Sequence, residues 1–171
     1  MNSSTVKRCA VGAILALVAL VSGSQNLKVS DDGLRLIADF EGCRLTPYQC
    51  SAGVWTNGIG HTAGVTSKSA ITERQAAENL VADVAKTERA IDRCMAVNMP
   101  QPVYDAVVSF GFNVGTAAAC RSTLAYFING RDWRRACSQL PRWVYVNGVK
   151  NKGLENRRAR ELAHCMRGVT Q

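Results

Sequence analysis

Histidine is scarce in this 171-residue chain, with His61 and His164 the two present. No Cys-x-x-Cys and no His-x-x-x-His pair occurs, so the ligand spacings of a structural zinc site are missing. Aromatic residues make up only 6%. Apart from Trp133 within Arg131–Arg135 they do not interleave with the basic clusters, which argues against a surface built to stack on nucleic acid. Acidic residues are in deficit, 13 Asp and Glu against 21 Lys and Arg, giving a net charge of +8. That imbalance points to an anionic partner, of which anionic lipid and bacterial cell wall are examples, and says nothing about fold. Internal repeats, low-complexity tracts and apolar runs long enough for several spans are also lacking. Collagen-like, coiled-coil and multi-span membrane classes are thereby excluded.

Apolar residues reach 47%, enough for one packed domain of this length with a short appendage. Cysteine is abundant, at seven. Without metal-ligand spacing, that number fits an oxidising compartment. Seven is odd, so three disulfides leave one thiol over.

Cys9 to Val21 form an uninterrupted apolar run, CAVGAILALVALV, with Lys7 and Arg8 before it and Ser22-Gly23-Ser24-Gln25 after it. Positive charge ahead of an apolar run is the arrangement of an export signal, which keeps the N-terminus cytoplasmic and sends the rest across. Three readings compete: a cleaved signal peptide, a permanent anchor, and a weak anchor able to leave the bilayer. Thirteen helical residues span about 20 Å, against a hydrocarbon core of about 30 Å. Ala10, Gly12, Ala13, Ala16 and Ala19 bury little area each. A permanent anchor is the poorest of the three, and the run does not decide between the others.

Beyond a polar linker at 24–30, Ser30 reads as an N-cap, with Asp31 and Asp32 in the first turn of a helix reaching about Phe40. Leu34, Ile37 and Ala38 give it an inward stripe, and Glu41 falls on that stripe at the helix end, before Gly42. Gly53, Gly58, Gly60 and Gly64 punctuate residues 43–66, which read as a small twisted hairpin sheet. Thr72-Glu73-Arg74-Gln75 is a capping box opening a long helix to about Met95. Asn98 to Pro102 is a turn, and from there to Met166 the pattern is helical, broken at Gly115, Gly130, Pro141 and Gly148. The expected order is helix, small sheet, long helix, helical lobe.

The chemistry-bearing stretch is Glu41 to Thr62, EGCRLTPYQCSAGVWTNGIGHT. Glu41 is followed by Cys50 and then Thr56, which sets a helix-end acid opposite a thiol and a hydroxyl on a hairpin. Glycosidic hydrolysis needs a proton donor on one side and water activation on the other. Taken by spacing alone, Glu41 reads better as a structural ion-pair partner. His61 is read as a hairpin residue and His164 as a surface residue of the last helix.

The Glu, Cys and Thr spacing resembles that of the phage lysozymes, the muramidases of glycoside hydrolase family 24. SFGFNVG at Ser109–Gly115, RSTL at Arg121–Leu124, CSQLPRW at Cys137–Trp143, and GLENRR at Gly153–Arg158 with Glu161 agree in order, so the likeness runs over about residues 30–167. It implies an α+β lysozyme-like fold, a small β-hairpin sheet plus a mainly helical lobe, with an N-terminal hydrophobic helix ahead of it. It also implies a substrate cleft between sheet and lobe. It makes Glu41 the general acid and gives Cys50 and Thr56 the placing of the attacking water. The family usually has Asp where this chain has Cys50, and a subset shares the cysteine. A thiolate acts there only if its pKa falls.

Cys43 precedes Cys50 on the same hairpin, and a disulfide between them would consume the catalytic thiol. Cys9, the odd cysteine, sits in the apolar run. If that segment left the bilayer, Cys9 could attack the Cys43–Cys50 bond, pair with Cys43 and release Cys50. This arrangement is similar to that of signal-arrest-release endolysins. A static Cys43–Cys50 disulfide is the alternative. For Cys94, Cys120, Cys137 and Cys165 three pairings are open on sequence alone. The resemblance favours Cys94–Cys120 and Cys137–Cys165, each contributing about 3 kcal/mol in the chain-entropy model.

The expectation is therefore a muramidase cutting peptidoglycan glycan strands, monomeric, with no cofactor, no metal and no nucleic-acid partner. Residues 1–25 form an export signal or weak anchor in the host inner membrane. Residues 26–171 form the catalytic domain on the periplasmic side, freed on activation. The competing function is a non-catalytic peptidoglycan-binding module on the same fold.

Overall fold

The computed structural model describes residues 6–50 and 52–169. The first five residues of the 1–25 segment lie outside the described residues. The chain divides into two compact units. One holds the residues up to Leu27 together with Ala38–Ala85, and the other holds Lys28–Ile37 together with the residues from Lys86 onward.

In the first unit, the apolar run forms a helix only over Val11–Val18 (α1), with Ile14 and Val18 buried. The sequence allowed a helix over the whole run. The observed one stops short, and a left-handed Gly23 (φ 90°) then turns the chain into a short 3-10 segment at Ser24–Asn26. No helix among the described residues is long and apolar enough to cross a membrane. A helix over Asp31–Glu41 (α2) brings Glu41 into this unit at its last residue. Strands Arg44–Gln49 (β1) and Trp55–Gly58 (β2) pair antiparallel, with Tyr48 opposite Thr56 and Gln49 opposite Trp55. Arg44 pairs with Gly58, so four steps along β1 meet two along β2. The surplus residues bulge and coil β1. The capping box forms: Gln75 N–H donates to Thr72 Oγ1 at 3.1 Å and Thr72 N–H to Gln75 Oε1 at 2.9 Å. It opens α3, Glu73–Cys94.

The second unit is helical. Gln101–Val114 (α4) is its centre, and every residue from Val103 to Gly111 is buried. Such all-round burial is what a helix apolar on most faces requires. Thr116–Cys120 (α5), Thr123–Asn129 (α6), Trp133–Cys137 (α7) and Lys152–Arg167 (α8) follow, and α4 packs on α8. Ile91, Met95, Phe110, Leu124, Ile128 and Leu140 lead its apolar core. Each such side chain contributes about 1.5–3 kcal/mol by leaving water.

The expected helical pattern across Gly148 is wrong at one place. Tyr145–Val146 (β3) and Val149–Lys150 (β4) form a two-residue-loop hairpin. Asn147 and Gly148 both adopt positive φ, 50° and 77°, the combination a type I′ turn needs. His164 also departs from its expected surface place. Its Nε2 lies 3.0 Å from Oδ2 of Asp105, a residue only 1% exposed. Asp105 further accepts from the Ser30 N–H at 2.9 Å and the Ser30 hydroxyl at 2.5 Å. Ser30 in turn caps α2, accepting from Gly33 N–H at 3.1 Å.

Candidate active site

The hairpin unit gathers the three residues singled out for chemistry. Glu41 is half-buried at the end of α2, where Gly60 comes up against it. A Cβ built on Gly60 would lie 2.8 Å from Glu41 Oε2. Gly60 is also left-handed, φ 71°, so two independent constraints exclude a side chain there. Thr56 is buried on β2, its hydroxyl donating to Val54 C=O at 3.2 Å. Cys50 follows β1 in a tight turn: its N–H donates to Val54 C=O at 3.0 Å and its C=O accepts from Gly53 N–H at 2.9 Å.

That turn determines the sulfur's acidity. Backbone N–H groups of Ala52 and Val54 stabilise the thiolate, the Thr56 hydroxyl adds to them, and together they hold the Cys50 pKa below its ordinary value. Cys50 is the one free cysteine among the described residues. Cys9 is bonded to Cys43, Cys94 to Cys120 and Cys137 to Cys165. The structure thus joins Cys9 to Cys43 and leaves Cys50 apart from Cys43.

Tyr48 is a member of the site that sequence reasoning passed over. It stands across from Thr56 in the register. Burial first, then the charges of Glu41 and Cys50, push its phenol above the ordinary value, while Arg44 pulls the other way. The Arg44 guanidinium lies 4.4 Å from the Tyr48 ring centroid. A lone tyrosine between Pro47 and Gln49 carries no signal of its own, because only the bulge in β1 brings it round to Arg44. His61 occupies the hairpin end, exchanging two backbone hydrogen bonds with Asn57, and its Nδ1 lies 2.7 Å from Asp83 Oδ2. Among the described residues no group of three or more His, Cys, Asp or Glu is placed to hold a metal ion. A helix-end carboxyl, an acidified thiol and a hydroxyl on the facing hairpin supply a proton donor and two groups able to hold a water.

The phage lysozyme family profile matches residues 38–161. The SAR-endolysin of Escherichia phage P1 is 35% identical over 94% of this chain and 93% of its own. Among solved structures, the active form of the P1 phage endolysin Lyz superposes with a TM-score of 0.84 at 33% identity, covering 95% of this chain and 96% of that one. The secreted inactive form of the same endolysin gives a TM-score of 0.58 at 33% identity, covering 82% and 97%.

Proposed function

The chain belongs to the phage lysozyme family, and from that premise we propose a phage endolysin that cuts the β-1,4 bond from N-acetylmuramic acid to N-acetylglucosamine in peptidoglycan. The observation that carries this reading is the hairpin unit itself, with Glu41 at the helix end and a free, acidified Cys50 assisted by Thr56. Glu41 protonates the departing glycosidic oxygen. Cys50 and Thr56 place the water that attacks the sugar.

Regulation follows from the cysteines. The chain is exported with residues 1–25 held in the host inner membrane and the domain from residue 26 on the periplasmic side, as a monomer. In that state Cys43 and Cys50 share a disulfide and the site is dead. Once the segment leaves the bilayer, the Cys9 thiolate attacks the Cys43 sulfur. The Cys9–Cys43 bond forms, the Cys43–Cys50 bond breaks, and Cys50 departs as thiolate. Disulfide number is unchanged, so no oxidant enters. A depressed Cys50 pKa suits a leaving group. The Cys9–Cys43 bond, the free Cys50 and the closer superposition on an active than on an inactive relative support this order of events.

The test is digestion of purified peptidoglycan with the released chain. New reducing ends should carry N-acetylmuramic acid. Retained wall binding without new reducing ends would make the chain a binding module instead.

A further inference from the structure

The N-terminal segment brings more than Cys9 to the hairpin. Leu45 N–H donates to Lys7 C=O at 2.8 Å and Cys9 N–H to Cys43 C=O at 3.2 Å, so the segment lies along β1 as an added strand. Arg8 stands directly opposite Arg44 between those two bonds. A pair flanked in this way is the close, non-hydrogen-bonded kind, where side chains on one face approach most nearly. Like charges so placed repel. Neither guanidinium has a carboxylate partner among the described residues. Arg44 is held in place by the Tyr48 ring, and Arg8 is exposed beside it. The Arg8 and Arg44 side chains leave the same face from directly opposed backbone positions, and the Arg44 guanidinium is already oriented by stacking, so the two can converge as a fork suited to a planar anion. They sit in the same compact unit as Glu41, Cys50 and Thr56.

We propose that the Arg8–Arg44 pair is a carboxylate-binding site for the peptidoglycan strand, assembled only when Cys9 bonds to Cys43. The proposal rests on the muramidase reading. The strand offers carboxylates from two sources: the stem peptide where one is attached, and the lactyl arm of N-acetylmuramic acid where none is, because attachment turns the lactyl carboxyl into an amide. Rearrangement then does two things at once: it frees Cys50 and it installs Arg8 beside Arg44. Before release, Lys7 and Arg8 merely flank the apolar run.

Binding is measured by co-sedimentation of the full chain in a Glu41→Gln background, with the Cys9–Cys43 bond verified by mass. Three walls are compared: intact peptidoglycan, strands stripped of peptide by an amidase, and stripped strands whose carboxyls are capped as amides. Adding Arg8→Glu should weaken binding to intact wall about tenfold, the size of one charge-assisted hydrogen bond, and leave capped strands unaffected. An effect on stripped strands, whose lactyl carboxyls the amidase has freed, shows that the pair also takes the lactyl carboxylate. An effect confined to intact wall assigns the stem peptide. Lys68→Glu, an equal change of charge at an exposed loop position in the same unit, should do little. Equal weakening by Lys68→Glu, or equal weakening on capped strands, overturns the site. Hydrolysis by the Glu41 chain is scored separately, so an absence of new reducing ends counts against the muramidase reading and leaves the binding result to stand or fall alone.

Discussion

The two units use sulfur and charge in opposite ways. In the helical unit Cys137 and Cys165 are 0% and 1% exposed and bonded to each other inside the apolar core. In the hairpin unit Cys9 and Cys50 are only half-buried, and the Cys9–Cys43 bond lies along a strand edge. Charges divide likewise. Glu161 is fully buried, yet it accepts from Ser109 Oγ at 2.7 Å, Arg157 Nε at 3.1 Å and Arg158 Nη1. Arg158 also donates to Asn113 and to Trp143 C=O. The hairpin unit keeps its carboxyl half-exposed and tolerates a buried acceptor, Asn57 Oδ1, with no partner among the described residues. Groups meant to hold are buried and saturated with partners. Groups meant to react are left partly open.

The sharpest way to break that contrast is Glu41→Gln. Gln keeps the volume but has no proton to give, so wall hydrolysis should fall about 10³-fold while the melting temperature stays put. Hydrolysis within tenfold of the parent removes Glu41 from the mechanism. Next in size is Cys9→Ser. It should export, fold and remain inactive after leaving the membrane, because nothing then takes Cys43 from Cys50. A mild reductant should restore lysis, provided that it leaves the Cys94–Cys120 and Cys137–Cys165 bonds intact. Parental lysis timing by Cys9→Ser would leave the exchange without support.

Glu161→Gln probes the other side. It strands two buried guanidiniums, so unfolding free energy should drop by about 3–5 kcal/mol, read from the urea midpoint. A drop below about 1 kcal/mol would mean that the network is not what holds α8 to α4. The smallest effect belongs to Asp105→Asn. Burial alone would raise the Asp105 pKa, but hydrogen bonds from His164, Ser30 and Gln101 outweigh it and hold the carboxyl below its ordinary 3.8. A depressed folded pKa contributes stability that is present above the unfolded value and is lost as pH falls through the folded one. Asp105→Asn should therefore cost about 1–2 kcal/mol at neutral pH and flatten the acid limb of the stability curve. An unchanged acid limb would show that the loss comes from other carboxyls.

Much of this contrast was legible before any coordinates. The Glu41, Cys50 and Thr56 spacing, the Ser30 cap and the Thr72 capping box are local signals, and local rules read them. What escaped depends on strand irregularity or on distant partners, which local rules do not read. Tyr48 reaches the site through a bulge that no pattern announces. His164 finds Asp105 from 59 positions away. The β3–β4 hairpin is different, because its Asn147-Gly148 pair is a strong turn signal. Helical spacing on either side makes it read as a helix break instead. The apolar run is legible as an export segment by its charges, while nothing in its composition announces that its helix covers only Val11–Val18.

Gly60 carries a consequence for how this enzyme can change over generations. A methyl group there would meet the acid's oxygen, and the backbone is already in a conformation that other residues resist. A side chain at this position thus has both a strained backbone to accept and the Glu41 carboxyl to displace. A lineage that loses this glycine can recover lysis by reversion, or by moving α2 and the hairpin apart in a second, simultaneous step.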